Sequence, residues 1–189
     1  MDCYGAAEQF ITALASADPT PGGGAAAAHT GAMGCALLLM AVGTTLKRKN
    51  ISQEVRERLE QHIKLLTSLK NELNGYVSKD GDAYAGYMTA RKLPVDNPQR
   101  ETALQDALLY AARVPASTAT TALHVLKELD LIKGDIADII YSDVLCAKHL
   151  LQACIRCAIE NIRANLVFIQ HVDRKAELEK QIATFLKSC

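Results

Sequence analysis

The sequence predicts an all-α fold, a single-domain bundle of long antiparallel helices packed around one buried central helix. Three observations carry this expectation. Apolar residues recur at three- and four-residue steps over long stretches, as in Ile51, Val55, Leu59, Ile63, Leu66, Leu69, Leu73 and Val77, the spacing of one helical face. No stretch of useful length alternates with period two, and Val and Ile are not gathered into strand-like runs. Ala and Leu dominate the apolar residues and Trp is absent, a composition that favours helices. With 189 residues, 49% of them hydrophobic, the chain suits one domain over residues 1–189 with a substantial core.

The first expected element is an amphipathic helix over residues 3–16, with Phe10, Ile11 and Leu14 facing inward. Residues 18–24 read as a rigid loop, because Pro19 and Pro21 fix the chain direction and three glycines permit close approaches. From Ala25 to Leu46 no residue is charged. That length is enough to span a bilayer. Its Ala, Gly and Thr content instead marks a central helix buried on all sides, with Gly31 and Gly34 on one face for close packing. The seamed helix from Ile51 reaches Asp80, and its pattern resumes to Leu93, where Pro94 stops it.

Asn97 and Pro98 open the next helix, which runs towards Leu131 with Pro115 as a kink or break. Gly134 is a stop signal. A last long helix is expected over residues 136–171. Its middle, Val144 to Ile159, is apolar nearly all round, which implies deep burial or contact between subunits. A short polar helix closes the chain.

Charge and cysteine usage narrow the function classes. Twenty-one basic and 21 acidic side chains leave a net charge of zero, without the basic excess of a nucleic-acid binder. No basic-then-apolar leader opens the chain, so a cytoplasmic, self-associating protein without a membrane partner is expected. The six cysteines, Cys3, Cys35, Cys146, Cys154, Cys157 and Cys189, are expected to be reduced structural thiols. Cys154 and Cys157 form a CxxC, but the two further ligands of a zinc site do not follow. No metal is expected.

Several residues are candidates for chemistry. Pro21, Gly22, Gly23 and Gly24 lead directly into a helix, whose unpaired first-turn amides attract an anion or a ring carbonyl; a tight turn for helix packing is the alternative. His29 lies near that loop, one turn into the helix. Asp80 and Asp82 flank Gly81, and two neighbouring carboxylates can hold different protonation states for acid–base work. Asp143 stands in an apolar context where an uncompensated carboxylate is expensive. Asn161 and Asn165, one turn apart, present both amides on one face. Lys47, Arg48 and Lys49 complement a helix C-terminus and offer a receptor for an anionic substrate tail.

Together these residues resemble the cyclodeaminase domain of the formiminotransferase-cyclodeaminase family and its stand-alone methenyltetrahydrofolate cyclohydrolase relatives. The likeness rests on Pro19-Thr20-Pro21-Gly22-Gly23-Gly24, Asp80-Gly81-Asp82-Ala83-Tyr84 and Arg91-Lys92-Leu93-Pro94, followed by Val114-Pro115, Ser142-Asp143 and Asn161-Ile162-Arg163-Ala164-Asn165-Leu166. It departs where Ala25 replaces the family's usual serine and where Gly43-Thr44-Thr45 replaces an Asn-x-Thr.

The resemblance implies a helical homodimer that binds a folate in a cleft by the glycine loop. Its substrate would be a tetrahydrofolate derivative, with no metal. Asp80 would handle protons as the first catalytic candidate, and Asp143 would orient the pterin. Pro21, Gly22, Gly23, Gly24, His29, Asp82, Lys92, Asn161 and Asn165 would bind substrate, with Lys47 and Lys49 meeting the glutamate tail. Three activities follow as alternatives: cyclodeaminase, methenyltetrahydrofolate cyclohydrolase, or a non-catalytic helical dimer that binds a folate-like ligand or a protein partner.

Overall fold

The structure, a computed structural model, describes residues 3–188. Its elements are α1 (Cys3–Leu14), α2 (Gly23–Leu46), α3 (Gln53–Arg91), α4 (Arg100–Ile132), α5 (Tyr141–Leu166) and α6 (Val172–Leu186), with two 3₁₀ turns between α4 and α5. Among the described residues there is no strand. The all-α expectation holds.

Helices α2 to α5 form a ring in which each neighbour runs antiparallel to the next. Side-chain register fixes the directions. Gly24 faces Asp80 while Gly31 faces Leu73, and Gly31 and Gly34 meet Cys154 and Leu151 of α5. His62 reaches Glu128 across α3 and α4, and Asn165 reaches Ala111 across α5 and α4. Leu38, Leu59, Leu66, Leu73, Leu129, Ile132, Leu151, Ile155, Ile159 and Ile162 are fully buried between them. Close approach of α2 to α5 depends on Gly31, where a Cβ would come 2.7 Å from the Cys154 Sγ and 3.1 Å from a Leu73 methyl. Leu178, Ile182 and Phe185 of α6 complete the core.

Helix ends are settled by local chemistry. Ser52 caps α3, its hydroxyl accepting from the Val55 amide at 3.2 Å. Beyond α4, Ile136 and Ala137 are extended, so the long helix expected over residues 136–171 begins only at Tyr141. The Arg58 guanidinium holds this connection by two hydrogen bonds to Asp135, of 2.6 and 2.8 Å, and keeps the Asp135 carboxyl below the usual carboxylate range.

Four expectations are corrected. First, α1 lies on the surface with Ile11 and Leu14 exposed, and only Phe10 reaches inward. Second, α2 is central but not enclosed, since Met33 and Met40 are 44% and 43% exposed; its small residues pack against three helices and leave the fourth side open. Third, α5 is not buried all round, since Leu145, Cys146 and Cys157 lie outside, so of its two expected readings only deep burial is overturned. Fourth, Pro115 does not break α4, which is continuous from Arg100 to Ile132.

The thiols are structural where they are buried. Cys35 donates to the Leu66 carbonyl at 3.3 Å, and burial pushes it up to about 12. Cys154 turns into the core while Cys157 faces solvent. Cys189 and the Cys3 side chain lie outside the described residues.

Candidate active site

The cleft forms where the loop before α2 meets α3 and the ends of α4 and α5. Gly22 is the N-cap of α2, extended at φ −123° and ψ −158°, and brings no side chain to the first-turn amides. Asp80, from one helix over, supplies the missing acceptor: the Ala25 amide donates to its Oδ2 at 3.0 Å. This approach requires a glycine at position 24, because a Cβ there would overlap the Asp80 carboxylate. Burial pushes the Asp80 carboxyl above its ordinary range, and the Ala25 N–H offsets part of that rise.

A cleft of about 310 Å³ opens in front of this contact. The loop contributes Pro19, Thr20, Gly22, Gly23 and Gly24, and α3 contributes Asp80, Ala83, Tyr84 and Tyr87. Leu108 and Ala111 form the α4 wall, and Asn161, Asn165 and Phe168 close the α5 side. The Gln105 side chain holds the chain leaving α5, donating to the Phe168 carbonyl at 3.2 Å and accepting from the Gln170 amide at 2.9 Å. That contact places the exposed Phe168 ring at the rim.

Pro115 shapes the site from outside it. Lacking an N–H, it leaves the carbonyl of Ala111, four residues earlier, without its helical donor. Asn165 takes that carbonyl at 3.3 Å and the Asn161 carbonyl at 2.9 Å, both through Nδ2. Asn161 in turn donates from Nδ2 to the Cys157 carbonyl at 2.8 Å. Both asparagine side chains line the cleft.

Of the residues singled out in the sequence, Gly22, Gly23, Gly24, Asp80, Asn161 and Asn165 converge here. Pro21 flanks the cleft without lining it. The others stand elsewhere. His29 stacks on Phe10, with ring centroids 4.5 Å apart. Asp82 is exposed on the other side of α3. Lys92 follows the end of α3, about 18 Å along the helix from Asp80 at 1.5 Å per residue. Lys47 and Lys49 are exposed beyond the far end of α2, about 35 Å from the glycine loop by the same rise. Asp143 lies in the first turn of α5, about 27 Å from Asn161. There it is half-buried, and the helix N-terminus stabilises it without any ligand.

Sequence reasoning missed Tyr87, Leu108, Ala111 and Phe168. Tyr84 and Tyr87 carried a signal, since they follow Asp80 at helical steps of four and seven. Phe168 carried none, because its place depends on the Gln105 contact. A second cleft of about 300 Å³ lies between α3, α4 and α6. It holds none of the predicted residues, and Arg174 and Glu72 there already pair with Glu177 and the Tyr76 hydroxyl. Among the described residues, no three His, Cys, Asp or Glu side chains are grouped to hold a metal ion.

The sequence profile of the formiminotransferase-cyclodeaminase family matches residues 6–184, which include every residue of this cleft. The chain belongs to that family. A methenyltetrahydrofolate cyclohydrolase from Methylorubrum extorquens is 33% identical over 164 residues, covering 84% of this chain and 77% of that protein. The formimidoyltransferase-cyclodeaminase of Sus scrofa is 30% identical over 185 residues, covering 94% of this chain and 34% of that longer protein. The crystal structure of a formiminotetrahydrofolate cyclodeaminase from Thermotoga maritima superposes with a TM-score of 0.87 at 27% identity, over 96% of this chain and 88% of that one. The family's glycine signature is therefore also the N-terminal wall of the cleft.

Proposed function

We propose that this chain is a folate one-carbon enzyme that closes 5-formiminotetrahydrofolate to 5,10-methenyltetrahydrofolate with release of ammonia. The observation that carries the reading is Asp80, a half-buried carboxyl with its pKa pushed up, held at the mouth of a cleft by one oxygen while the other is left for chemistry. Family membership and the names of the relatives support a cyclodeaminase or cyclohydrolase activity on a folate.

Nitrogen 10 attacks the carbon of the formimino group in its protonated, amidinium form, and the C=N electrons move onto the formimino nitrogen, which becomes an NH2 group. The Asp80 carboxylate takes the proton from nitrogen 10 and gives it to that nitrogen. Ammonia leaves with the C–N electron pair, and the lone pair of the ring nitrogen completes the methenyl bridge. One carboxyl of raised pKa serves both transfers, because it is a base of useful strength and a competent acid once loaded. The cleft contributes by holding the two reacting nitrogens close.

Cyclohydrolase action is the second reading, favoured by the Methylorubrum extorquens relative, which matches most of both chains. There water takes the place of ammonia at the same carbon, and Asp80 activates it. Adding 5-formiminotetrahydrofolate is expected to yield methenyltetrahydrofolate, followed by its ultraviolet absorbance, together with free ammonia. Consumption of methenyltetrahydrofolate without any cyclodeaminase turnover would replace the first reading by the second. Folate binding without turnover of either would leave a non-catalytic binder.

A further inference from the structure

We propose that Phe168 is a stacking platform for the aminobenzoyl ring of the folate, and that the buried Gln105 is the positioning residue that holds it at the cleft. The inference rests on the folate reading above. An apolar ring left in water gains little from its own fold, and Phe168 is 63% exposed. Val167 and Val172 nearby are exposed as well, but of the three only Phe168 lines the cleft. Tyr84 and Tyr87 line it from α3, across the ring of helices from α5. Aromatic side chains on two walls suit a flat ring between them.

Phe168 keeps this place because the backbone on both sides of Ile169 is fixed. A primary amide carries a donor and an acceptor in one plane, and Gln105 directs both at this segment. Its Nε2 donates to the Phe168 carbonyl at 3.2 Å, and its Oε1 accepts from the Gln170 amide at 2.9 Å. Glu101, one turn earlier on α4, accepts from the Gln105 Nε2 at 3.4 Å and from the Gln170 Nε2 at 2.9 Å. Gln105 is itself buried, and so is Ile169 between its two partners. One turn further along α4 stands Leu108, which lines the cleft, so latch and wall share a helix face.

The aminobenzoyl ring is bonded directly to nitrogen 10, the nucleophile of the proposed reaction. Holding the pterin alone leaves that nitrogen free to swing about its methylene link. Holding the ring on its other side as well removes the freedom and presents nitrogen 10 to Asp80.

The test is anaerobic calorimetric titration of the full chain with two probes that differ in the aminobenzoyl group, tetrahydropteroate and 6-methyltetrahydropterin. Wild type should bind tetrahydropteroate more tightly. Phe168→Ala should weaken that probe about three- to tenfold, the scale of one aromatic contact, and leave 6-methyltetrahydropterin unchanged. Its melting temperature should stay within about 2 °C of wild type, because the ring stands largely in solvent. Equal weakening of both probes, or of neither, would overturn the proposal.

Gln105→Leu removes both hydrogen bonds to the segment, and it too should weaken tetrahydropteroate alone. Added to Phe168→Ala it should weaken binding no further, because the platform that it positions is gone. A merely structural glutamine would lower the melting temperature and leave the two probes affected alike, and that result would remove Gln105 from its role. Wild-type protein that binds the two probes equally would sink this inference alone. Wild-type protein that binds neither would sink the folate reading as well.

Discussion

Asp80 sits where burial and a helix N-terminus pull in opposite directions. Burial wins, so its carboxyl titrates above the usual range of about 3.9. The carboxylate is the form that accepts the first proton, so kcat/KM should rise with pH along a limb displaced upward from that value. Asp80→Asn keeps an oxygen for the Ala25 amide and loses the proton transfer. Turnover should fall by about 10²- to 10⁴-fold, and the acid limb should disappear; an unchanged profile would remove Asp80 from its role. Stability should move the other way. A carboxyl whose folded pKa is raised supports folding most below its unfolded pKa, and that support is lost as pH rises through the folded value. At neutral pH the asparagine variant should therefore melt no lower than wild type. Gly24→Ala belongs to the same contact, because its methyl would displace the Asp80 carboxylate. Kinetics should show kcat falling by at least about tenfold in a protein that still folds, and a wild-type kcat would mean that the contact is dispensable.

At the scale of the elements, the joint between α2 and α5 makes its own prediction. A methyl at Gly31 would press on Cys154 and Leu73, and overpacking of this kind costs about 1–3 kcal/mol. Gly31→Ala should lower the melting temperature by roughly 2–4 °C for each kcal/mol. Cys154→Ala opens the same space, so the double variant should lose less than the two single changes combined; strict additivity would place the strain elsewhere. The helices were legible in the sequence because periodicity is local: the seam from Ile51 to Val77 and the stop at Pro94 each belong to one element. The glycine signature, Asp80 and the asparagine pair were legible as candidates for the same reason, each being an odd group beside or on a regular helix, and the structure brings them to one cleft. Which of them meet is a property of register between helices. Lys47 and Asp143 looked equally odd, yet they lie at the other end of the bundle. Pro115 was read as a kink or break because its missing hydrogen bond was visible, while the side chain on α5 that takes up the freed carbonyl was not.

For the whole molecule, the open side of α2 carries the remaining prediction. Along it run the exposed Met33, Ala36 and Met40, with no charge on that face of a 24-residue helix. On α5, Cys146, Ala153 and Cys157 are exposed and share a face with Leu150, which packs against Gly34. Apolar surface of this continuity marks an association face. The prediction made for this face is that a second copy covers it, with a two-fold axis across α2 setting one stripe on the other. An antiparallel pairing also brings the basic end, Lys47 to Lys49, towards the end that carries Glu8 and Asp18. The chain should therefore run as a homodimer by light scattering coupled to size exclusion, with a melting temperature that rises with protein concentration. Met33→Glu combined with Met40→Glu should give a folded monomer whose melting temperature no longer depends on concentration, since both side chains are already solvent-facing in the single chain. A wild-type monomer at micromolar concentration would refute the pairing. A variant that stays dimeric would move the interface off α2; a variant that becomes monomeric would, through its folate turnover, report whether one chain suffices for the cleft at the glycine loop.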